Sequence, residues 1–409
     1  MKNKCLRFFL SELFYKEMAT SKSPFSKVAV RSTYRDVFMD QISRFMFPIN
    51  IQRCNNHHAS DRFIVCARVR PLLDEEISKK DIYDCITTTD QSVTVHAGHL
   101  RLNYLEMKHS TYCFDHIFGQ NANNTDVYNI VRNVVALSIP IHNMKPIDTT
   151  VFLYGKTGTG KSHTINGIVQ LFAQDIFRLT TKSHCQIRIG ISAVEIVAGT
   201  KGFIVSNDNI CDLYNNGMIV HFRDDEHGTM HLRGAKEFQC ENSTQLDKYI
   251  KQAKTVRRTQ ATQRNSQSSR SHLIYFIRLR DENEQILSTI TFVDLAGNEG
   301  QQDSLYFKAH SDQIKDSTSI NRSLASLKDC IRAANAGSKV IPFRGSTLTR
   351  LLKKCFCSKE TKTVFIGTVS GLPIDIEQSA QTLKYIGLIK YDEQEFLIEQ
   401  ITKLKTTTL

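Results

Sequence analysis

Runs of β-branched and aromatic residues recur along the chain from Arg62 onward. They read FIVCARV, TTVFLY, QIRIGISAVEI, HLIYFIRLR, STITFVDL and TVFIGTVS, and each is typical of a buried β-strand. Segments with helical spacing separate them, notably INRSLASLKDCIRAAN, where one face would carry Ile320, Leu324, Leu327 and Ile331. Strands that alternate with helices predict an α/β fold of three layers, in which helices flank a central, mostly parallel β-sheet.

The first sixty residues are rich in Lys and Arg and show few strand patterns, so they predict a flexible basic arm over residues 1–60. Within this arm, STYRDVFMDQISRFMF predicts a short amphipathic helix, because apolar side chains recur at helical spacing at Tyr34, Val37, Phe38, Ile42 and Phe45. Two interpretations are open: a neck helix that precedes the folded domain, or an ordinary packing helix.

The chain after Lys390 is charged and carries Leu397, Ile401 and Leu404 at helical spacing. This pattern predicts a helical extension over residues 391–409. The extension is too short for a coiled coil, which needs several heptads, so we expect a monomer or a weak dimer.

Composition narrows the classes of partner. A net charge of +12 favours an acidic partner, and nucleic acid, an anionic membrane and an acidic protein filament all qualify. No run reaches transmembrane length, and basic residues do not alternate with aromatic ones as stacking platforms need, so we expect neither membrane nor nucleic acid. Eleven cysteines without a CxxC pair indicate reduced thiols and a cytoplasmic protein.

A phosphate-binding loop follows the strand TTVFLY. Gly155, Gly160, Lys161 and Ser162 satisfy the pattern G-x-x-x-x-G-K-[ST], between an apolar strand and an apolar helix. The glycines let successive N–H groups face phosphates, Lys161 reaches the β and γ oxygens, and Ser162 supplies a hydroxyl to Mg²⁺. The motif predicts a P-loop NTPase, but kinases, GTPases, helicases and motors all share it.

Two later segments complete a nucleotide site. The polar run RNSQSSRSH precedes one strand, and FVDLAGNEG ends another strand at Asp294, which would hold the Mg²⁺ shell. Gly297 would let a backbone N–H approach the γ-phosphate. Arg270 and Glu299 are a candidate ion pair between the two loops, a latch that forms only when both close on the triphosphate.

These segments, in this order, resemble the kinesin motor domain. GKTGTGKSHT is similar to the kinesin P-loop, NSQSSRSH to its first switch and DLAGNE to its second. ARVRP is similar to its adenine-contacting strand, INRSLASLKDCI to its relay helix, PFRGSTLTRLL to its tubulin-facing loop and helix, and SAQTLKYIGLIK to its closing helix. The resemblance covers about Arg62 to Lys390, so we expect one motor domain over residues 61–390.

The resemblance assigns roles to individual residues. Adenine would be bordered by Arg68, Pro71 and His163. The phosphates would be wrapped by Gly155, Lys156, Thr157, Gly158, Thr159, Gly160, Lys161 and Ser162. Mg²⁺ would be held by Ser162 and Ser269, and through water by Asp294. The attacking water would be arranged by Ser268 and the latch of Arg270 and Glu299.

Among kinesins, the internal-motor branch that depolymerises microtubules is the most similar. The resemblance rests on CFDHIF, on Asn298 in DLAGNE and on a basic arm with a helix before the motor. It implies a motor that binds curved tubulin at filament ends and uses ATP to peel protofilaments, on spindle and cytoplasmic microtubules. The acidic tubulin surface suits the positive net charge.

Several positions depart from the family pattern. Lys156 replaces the usual Gln, and its charge is either solvated or an extra attraction for phosphates that slows product release. Arg101, Leu102 and Asn103 stand where the branch has a Lys-Val-Asp finger. The other departures are Gly345, Thr347, Gly300 and an insertion at Ala198–Ser206. Basic residues that remain as tubulin contacts are Lys328, Arg344 and Arg350.

Two functions stay open at this point. The first is an ATP-dependent microtubule motor that hydrolyses ATP to ADP and phosphate and acts at microtubule ends. The alternative is a tubulin- or microtubule-binding module that holds nucleotide with weak or uncoupled turnover. The chain contains no Asn/Thr-Lys-x-Asp guanine motif, so ATP is the expected nucleotide.

Overall fold

A computed structural model describes residues 26–47, 62–101, 104–141, 144–183, 185–197, 208–224, 230–263, 270–298, 311–391 and 396–404. The helices are α1 Lys27–Thr33, α2 Arg35–Ser43, α3 Asp74–Ile77, α4 Asn124–Val135, α5 Lys161–Thr180, α6 Ser243–Gln263, α7 Ser311–Asn335, α8 Thr347–Leu351, α9 Lys353–Cys357 and α10 Ile376–Lys390. Short 3-10 turns occur at Ala136–Ser138 and Phe343–Gly345. In these ranges no helix is both long and apolar enough to cross a membrane.

The strands follow the apolar runs closely. They are β1 Phe63–Arg70, β2 Ile86–Thr88, β3 Ser92–Arg101, β4 Tyr104–Cys113, β5 His116–Phe118, β6 Asp148–Tyr154, β7 Arg188–Val197, β8 Asn209–Asp212, β9 Met218–Asp224, β10 Met230–Arg233, β11 Phe238–Cys240, β12 His272–Arg280, β13 Ile286–Asp294, β14 Thr361–Ser370 and β15 Leu397–Leu404.

The central sheet has the order β10-β9-β8-β7-β12-β13-β6-β14-β1-β5, with β11 paired to β7. Every pair in its β13-β6-β14-β1-β5 half is parallel, whereas β12 runs antiparallel to β13 and the remaining arm is antiparallel. The three-layer fold with a mostly parallel centre is therefore confirmed, with an antiparallel arm added. Because parallel strands end at one edge, the loops after β6 and β13 lie side by side.

Helices cover both faces of the central sheet. On β6, Val151 and Leu153 pack in one apolar cluster with α4, α5 and α6, while Phe152 and Tyr154 pack in the other with α7, α8 and α10. This alternation follows from the two-residue period of a strand. Since both faces are covered, the strands need near-continuous apolar sequence, as the pattern of runs indicated.

A second, smaller sheet lies beside the first in the order β15-β4-β3-β2. All of its pairs are antiparallel. Its outer strand corrects the predicted helical extension over residues 391–409, because Leu397–Leu404 is a strand paired with β4 along its whole length. Pairing with β4 satisfies backbone groups that a short, mostly exposed helix would leave in solvent, and the β-branched Ile398, Ile401 and Thr402 favour a strand.

The part of the amino-terminal arm that the structure describes, residues 26–47, is mostly helical. Residues 27–43 form two helices, α1 and α2, with a break at Tyr34, where the sequence predicted one short helix within the arm. Val30 and Phe38 join the main apolar cluster, and the Arg31 guanidinium, fully buried, pairs with Glu377 and donates to the Pro373 carbonyl at 2.7 Å. These contacts support the packing-helix interpretation over a neck that stands away from the domain.

Two histidines face each other across β3 and β4. His96 and His109 are register partners, their Nδ1 atoms lie 2.7 Å apart, and the Phe45 ring stacks on His109 at 4.7 Å. Burial lowers the pKa of His96 to about 3, with a further contribution from His109, and lowers the pKa of His109 to about 4. Both rings are therefore neutral at neutral pH.

The free energy of unfolding is expected to fall as the pH drops from about 6.5 towards 4, because the unfolded histidines take up protons that the folded ones refuse. Removing one ring with His109→Gln should make that dependence shallower by up to about 1.4 kcal/mol per pH unit. Denaturant unfolding at a series of pH values measures both slopes. Equal slopes for the parent protein and His109→Gln would contradict the assignment of His109 as a buried, neutral histidine.

Candidate nucleotide-binding site

The loop between β6 and α5 has a backbone that only glycine adopts easily. Gly155, Gly158 and Gly160 have φ angles of 149°, 85° and 95°, all in the left-handed range. A Cβ on Gly155 would lie 2.3 Å from the Thr368 carbonyl oxygen of β14. A side chain at position 155 would therefore clash with β14. Gly160 is the residue that caps the amino terminus of α5.

Hydrogen bonds inside the loop hold its shape. The Lys161 ammonium, only 7% exposed, donates to the Gly155 carbonyl at 2.7 Å. The Thr159 hydroxyl donates to the Lys156 carbonyl at 2.7 Å and lies 2.8 Å from the Thr368 hydroxyl. Loop, helix and β14 thus form one rigid unit with a lysine charge at its centre.

A cleft of about 270 Å³ opens at the amino terminus of α5. Unpaired N–H groups and the helix dipole make such a place favourable for phosphate. The residues around it belong to the P-loop and to the end of β13: Thr157, Gly158, Gly160, Lys161, Ser162, His163, Asp294 and Leu295.

Asp294 and Ser162 meet at this cleft. The Ser162 hydroxyl donates to Asp294 Oδ2 at 3.3 Å, because β13 pairs with β6 so that Asp294 lies beside Leu153. Asp294 Oδ1 is buried and accepts no hydrogen bond from any described residue. A hydroxyl, a carboxylate and a buried carboxylate oxygen without a donor are the set that suits Mg²⁺ with its water shell.

Arg257 of α6 connects two strands and the residue before a third behind the cleft, and the sequence analysis missed it. Its guanidinium contacts Glu195 of β7 and Asp294 of β13, each at 3.2 Å, and donates to the Ser271 carbonyl at 2.9 Å. All three charged side chains are less than 9% exposed. Only an acidic residue within a strand, Glu195 in SAVEI, could have signalled this network.

His272, at the start of β12, links both nucleotide loops to α7. Its Nδ1 accepts the Ala296 backbone N–H at 3.0 Å, so Nε2 carries the proton and donates to the Ser323 hydroxyl at 2.8 Å. Burial, then the charges of Arg257 and Lys161, lower the pKa of this imidazole to about 3. The ring therefore stays a neutral connector.

Asn298 makes a second connection from the loop after β13. Its amide donates to the Tyr154 hydroxyl at 3.0 Å and to the Thr382 hydroxyl of α10 at 3.1 Å. Tyr154 stacks on Tyr385, whose hydroxyl donates to the Leu324 carbonyl of α7 at 2.7 Å. The loop after β13 is thereby connected to both α10 and α7.

The three residues predicted beside adenine have different surroundings. The Arg68 guanidinium is buried and donates to Asn124 and to the Thr164 hydroxyl, so it fixes the first turns of α4 and α5. His163 is exposed at the cleft, 3.3 Å from the amide nitrogen of Asn124, and Pro71 is exposed. Asn124, which connects two of them, was not predicted. Their role beside adenine stays a prediction.

Lys156 fits neither of its two interpretations. Its ammonium lies 3.0 Å from the Asp375 carboxylate at the amino terminus of α10, and the two side chains are only 19% and 13% exposed. The charge is therefore neither solvated nor directed into the cleft.

The remaining predicted site residues are only partly described. Arg270 is half-buried in the turn before β12, and Gly297 is buried in the loop after β13. Several assignments lie outside the described residues: Ser268, Ser269, Glu299, Gly300, Leu102, Asn103 and the insertion Ala198–Ser206. Their roles remain predictions.

The basic residues assigned to the tubulin side lie on α7 and on the turn and helix packed against it. Arg344 is exposed in the 3-10 turn. Lys328 lies 5.8 Å from the Tyr385 ring, and the Arg350 guanidinium stacks 4.2 Å from Phe222 of β9. Part of the Arg350 guanidinium is thus covered by the Phe222 ring. Thr347 is buried at the start of α8.

The described residues form neither a cluster of metal ligands nor a disulfide. Within the described ranges, no group of three or more His, Cys, Asp and Glu side chains is arranged to hold a metal ion. Each cysteine that the structure describes is a free thiol.

A family model supplies the decisive comparison: the kinesin motor domain model matches residues 68–390. The chain belongs to the kinesin family. Its phosphate loop is accordingly the nucleotide-binding loop of a P-loop ATPase motor domain, and the recognition of a kinesin motor domain from DLAGNE and its companion motifs is confirmed.

Curated kinesins match most of this chain. Diatom spindle kinesin-1 of Cylindrotheca fusiformis is 32% identical over 333 residues, which are 80% of this chain and 50% of that protein. Kinesin-like protein KIF24 of Mus musculus and of Homo sapiens are each 32% identical over 342 residues, 81% of this chain and 24% of theirs. The chain thus spans half the length, or less, of these curated relatives.

Solved kinesins share the fold. A fast kinesin has a TM-score of 0.66 at 22% identity, covering 81% of this chain and 92% of that one. A kinesin motor ATPase solved as mutants has a TM-score of 0.60 at 25% identity, covering 81% and 99%.

The pairing of Lys156 with Asp375 predicts an effect on stability, not on nucleotide affinity. Lys156→Gln should lower the free energy of unfolding by about 1–2 kcal/mol, less than the cost for a fully buried pair, because Asp375 loses its partner. The double variant Lys156→Gln with Asp375→Asn should be about 1 kcal/mol more stable than the sum of the two single effects predicts. Denaturant unfolding and fluorescent ATP titration check both quantities. A loss of more than about tenfold in ATP affinity for Lys156→Gln alone would assign the charge to the phosphates.

Proposed function

We propose that this kinesin hydrolyses ATP and couples the turnover to tubulin at microtubule ends, where it promotes depolymerisation. The observation that supports it most is the meeting of Ser162 and Asp294 at the mouth of the phosphate loop, 3.3 Å apart, with one Asp294 oxygen that accepts no hydrogen bond from the described residues. A loop kept only for structure has no need of a buried, unpartnered carboxylate oxygen.

The nucleotide is held by the chain's own groups. Backbone N–H groups of residues 155–162 receive the phosphates, and Lys161 exchanges the Gly155 carbonyl for a phosphate oxygen. Mg²⁺, when bound, neutralises charge between the terminal phosphates. Its proposed holders are Ser162, Ser269 and Asp294. Arg257 keeps the Asp294 carboxylate aimed at the cleft.

Hydrolysis requires an oriented water. We assign that task to Ser268, Gly297, Arg270 and Glu299, with Arg270 and Glu299 closing as a latch. Arg270 lies two residues before His272, which accepts the Ala296 N–H at 3.0 Å. This bond connects the two loops, and so supports the proposal that they move together.

Coupling to tubulin follows from the connections to α7. His272 contacts Ser323, and Tyr385 contacts the Leu324 carbonyl, so both loops act on the middle of that helix. Lys328, Arg344 and Arg350 lie on or against the same helix and offer positive charge to acidic tubulin. The proposal that the protein acts at microtubule ends is supported by the resemblance of CFDHIF, Asn298 and the basic arm to the depolymerising branch.

The partner and location follow from the same reasoning. Tubulin and microtubules are the proposed partners, and cytoplasmic or spindle microtubules the proposed location, which the name of the diatom spindle kinesin supports. We propose a monomer or weak dimer.

A tubulin-binding module with weak or uncoupled turnover remains the second candidate. Arg350 stacks on Phe222 and Thr347 is buried, so these two positions offer tubulin less free charge than the family pattern would. Under this alternative the phosphate loop still holds ATP, but tubulin does not accelerate its hydrolysis.

ATP turnover should rise strongly when tubulin dimers or microtubules are added to the purified protein. Lys161→Ala should lower turnover about a hundredfold or more, because the charge at the β and γ oxygens is lost. Lys145→Ala is the matched control, since that exposed lysine pairs with Glu360 on the surface. Turnover that tubulin leaves unchanged would favour the uncoupled module.

A further inference from the structure

Asn124, the first residue of α4, lies between two side chains next to the nucleotide cleft. Its Oδ1 accepts a hydrogen bond from the Arg68 guanidinium at 2.5 Å, and its Nδ2 lies 3.3 Å from Nε2 of His163. His163 is in the first turn of α5 and lines the cleft. Neither the phosphate loop nor the two switch segments include Asn124, so only the folded chain brings it to this place.

These contacts determine the tautomer of His163. A guanidinium can only donate, so the oxygen of the Asn124 amide faces Arg68 and its NH₂ group faces the imidazole. An amide NH₂ group also only donates, so Nε2 of His163 accepts this bond. In the neutral ring the proton is then on Nδ1. The imidazole therefore carries a hydrogen-bond donor on the nitrogen that Asn124 leaves free.

Arg68, which orients the Asn124 amide, is itself fixed by the fold. Its side chain is only 8% exposed, and Nη1 also donates to the Thr164 hydroxyl at 2.8 Å. That hydroxyl donates in turn to the Gly160 carbonyl of the phosphate loop at 2.8 Å. The Asn124 amide cannot turn over without facing this buried guanidinium with a donor, which is unfavourable. The orientation of the amide is therefore built into the fold.

Gly167 leaves the room that the Asn124 amide occupies. It lies within α5, one turn after His163, although glycine is a poor helix former. A Cβ at this position would lie 2.0 Å from Nδ2 of Asn124. The backbone here is helical, so what the site uses at position 167 is the missing side chain and not an unusual backbone conformation.

We propose that Asn124 is a positioning residue of the nucleotide site. It holds the His163 imidazole in one rotation and as the Nδ1–H tautomer, so that the ring offers a hydrogen-bond donor to a purine base, whose ring nitrogens are acceptors. A ring that is fixed before the nucleotide arrives does not have to be ordered on binding, and this favours affinity. The assignment rests on the proposed function, in which His163 lies beside the base.

NMR of protein with isotope-labelled histidine tests the tautomer directly, because protonated and unprotonated ring nitrogens have different shifts. The His163 signals are those that disappear in His163→Ala. We expect an unprotonated Nε2 in the parent and a protonated Nε2 in Asn124→Asp, since a carboxylate still accepts from Arg68 but has no donor for the ring. An acidic residue is favourable in the first turn of a helix, so this variant keeps the fold. A protonated Nε2 in the parent would overturn the proposal.

Calorimetric titration with Mg²⁺ and an ATP analogue that cannot be hydrolysed tests the consequence for binding. Asn124→Leu, a change to a side chain of similar size, should weaken binding about fivefold, because the ring is no longer held. Asn124→Leu together with His163→Ala should bind as His163→Ala does alone, since Asn124 acts through the imidazole. Asn129→Leu is the matched control, because it makes the same change at an exposed position of α4 and should bind like the parent.

The outcomes separate this proposal from the proposed function. Asn124→Leu that binds like the parent, or single effects that add in the double variant, would overturn the positioning role. His163→Ala that binds the analogue as tightly as the parent would overturn it too, and would leave ATP hydrolysis at the phosphate loop standing. A parent protein that does not bind the analogue would overturn both.

Discussion

The buried charge network of Arg257 is the constraint on which the site depends. One guanidinium, 8% exposed, faces two carboxylates, Glu195 at 3% and Asp294 at 4%, on different strands. Desolvating these groups is costly unless they stay paired, and loss of one partner costs about 3–5 kcal/mol. Strands β7 and β13 and the residue before β12 are thereby connected at the edge where the cleft opens.

From that edge, hydrogen bonds lead outward in two directions. Through His272 and Asn298, the loops next to the cleft reach α7 and its basic surroundings. Through Lys156 and Asp375, the phosphate loop reaches α10, which contacts α1 and the start of β15.

The central sheet and the phosphate loop could be predicted from the sequence, because the strands are buried on both faces and the loop geometry requires glycines at fixed spacing. Pairings between distant residues could not: Arg31 and Glu377 are 346 positions apart, and only the folded chain brings them together. The spacing of Leu397, Ile401 and Leu404 fits a helix, yet this segment pairs with the open edge of β4 and is therefore a strand. Arg257 lies in a mostly polar helix, where a buried arginine resembles its solvated neighbours.

Fluorescence microscopy of stabilised microtubules tests the central claim most directly. Filaments incubated with the protein and ATP should shorten from their ends, and should keep their length when ATP is replaced by an analogue that cannot be hydrolysed. Filaments that keep their length under ATP while the protein coats them would contradict the account.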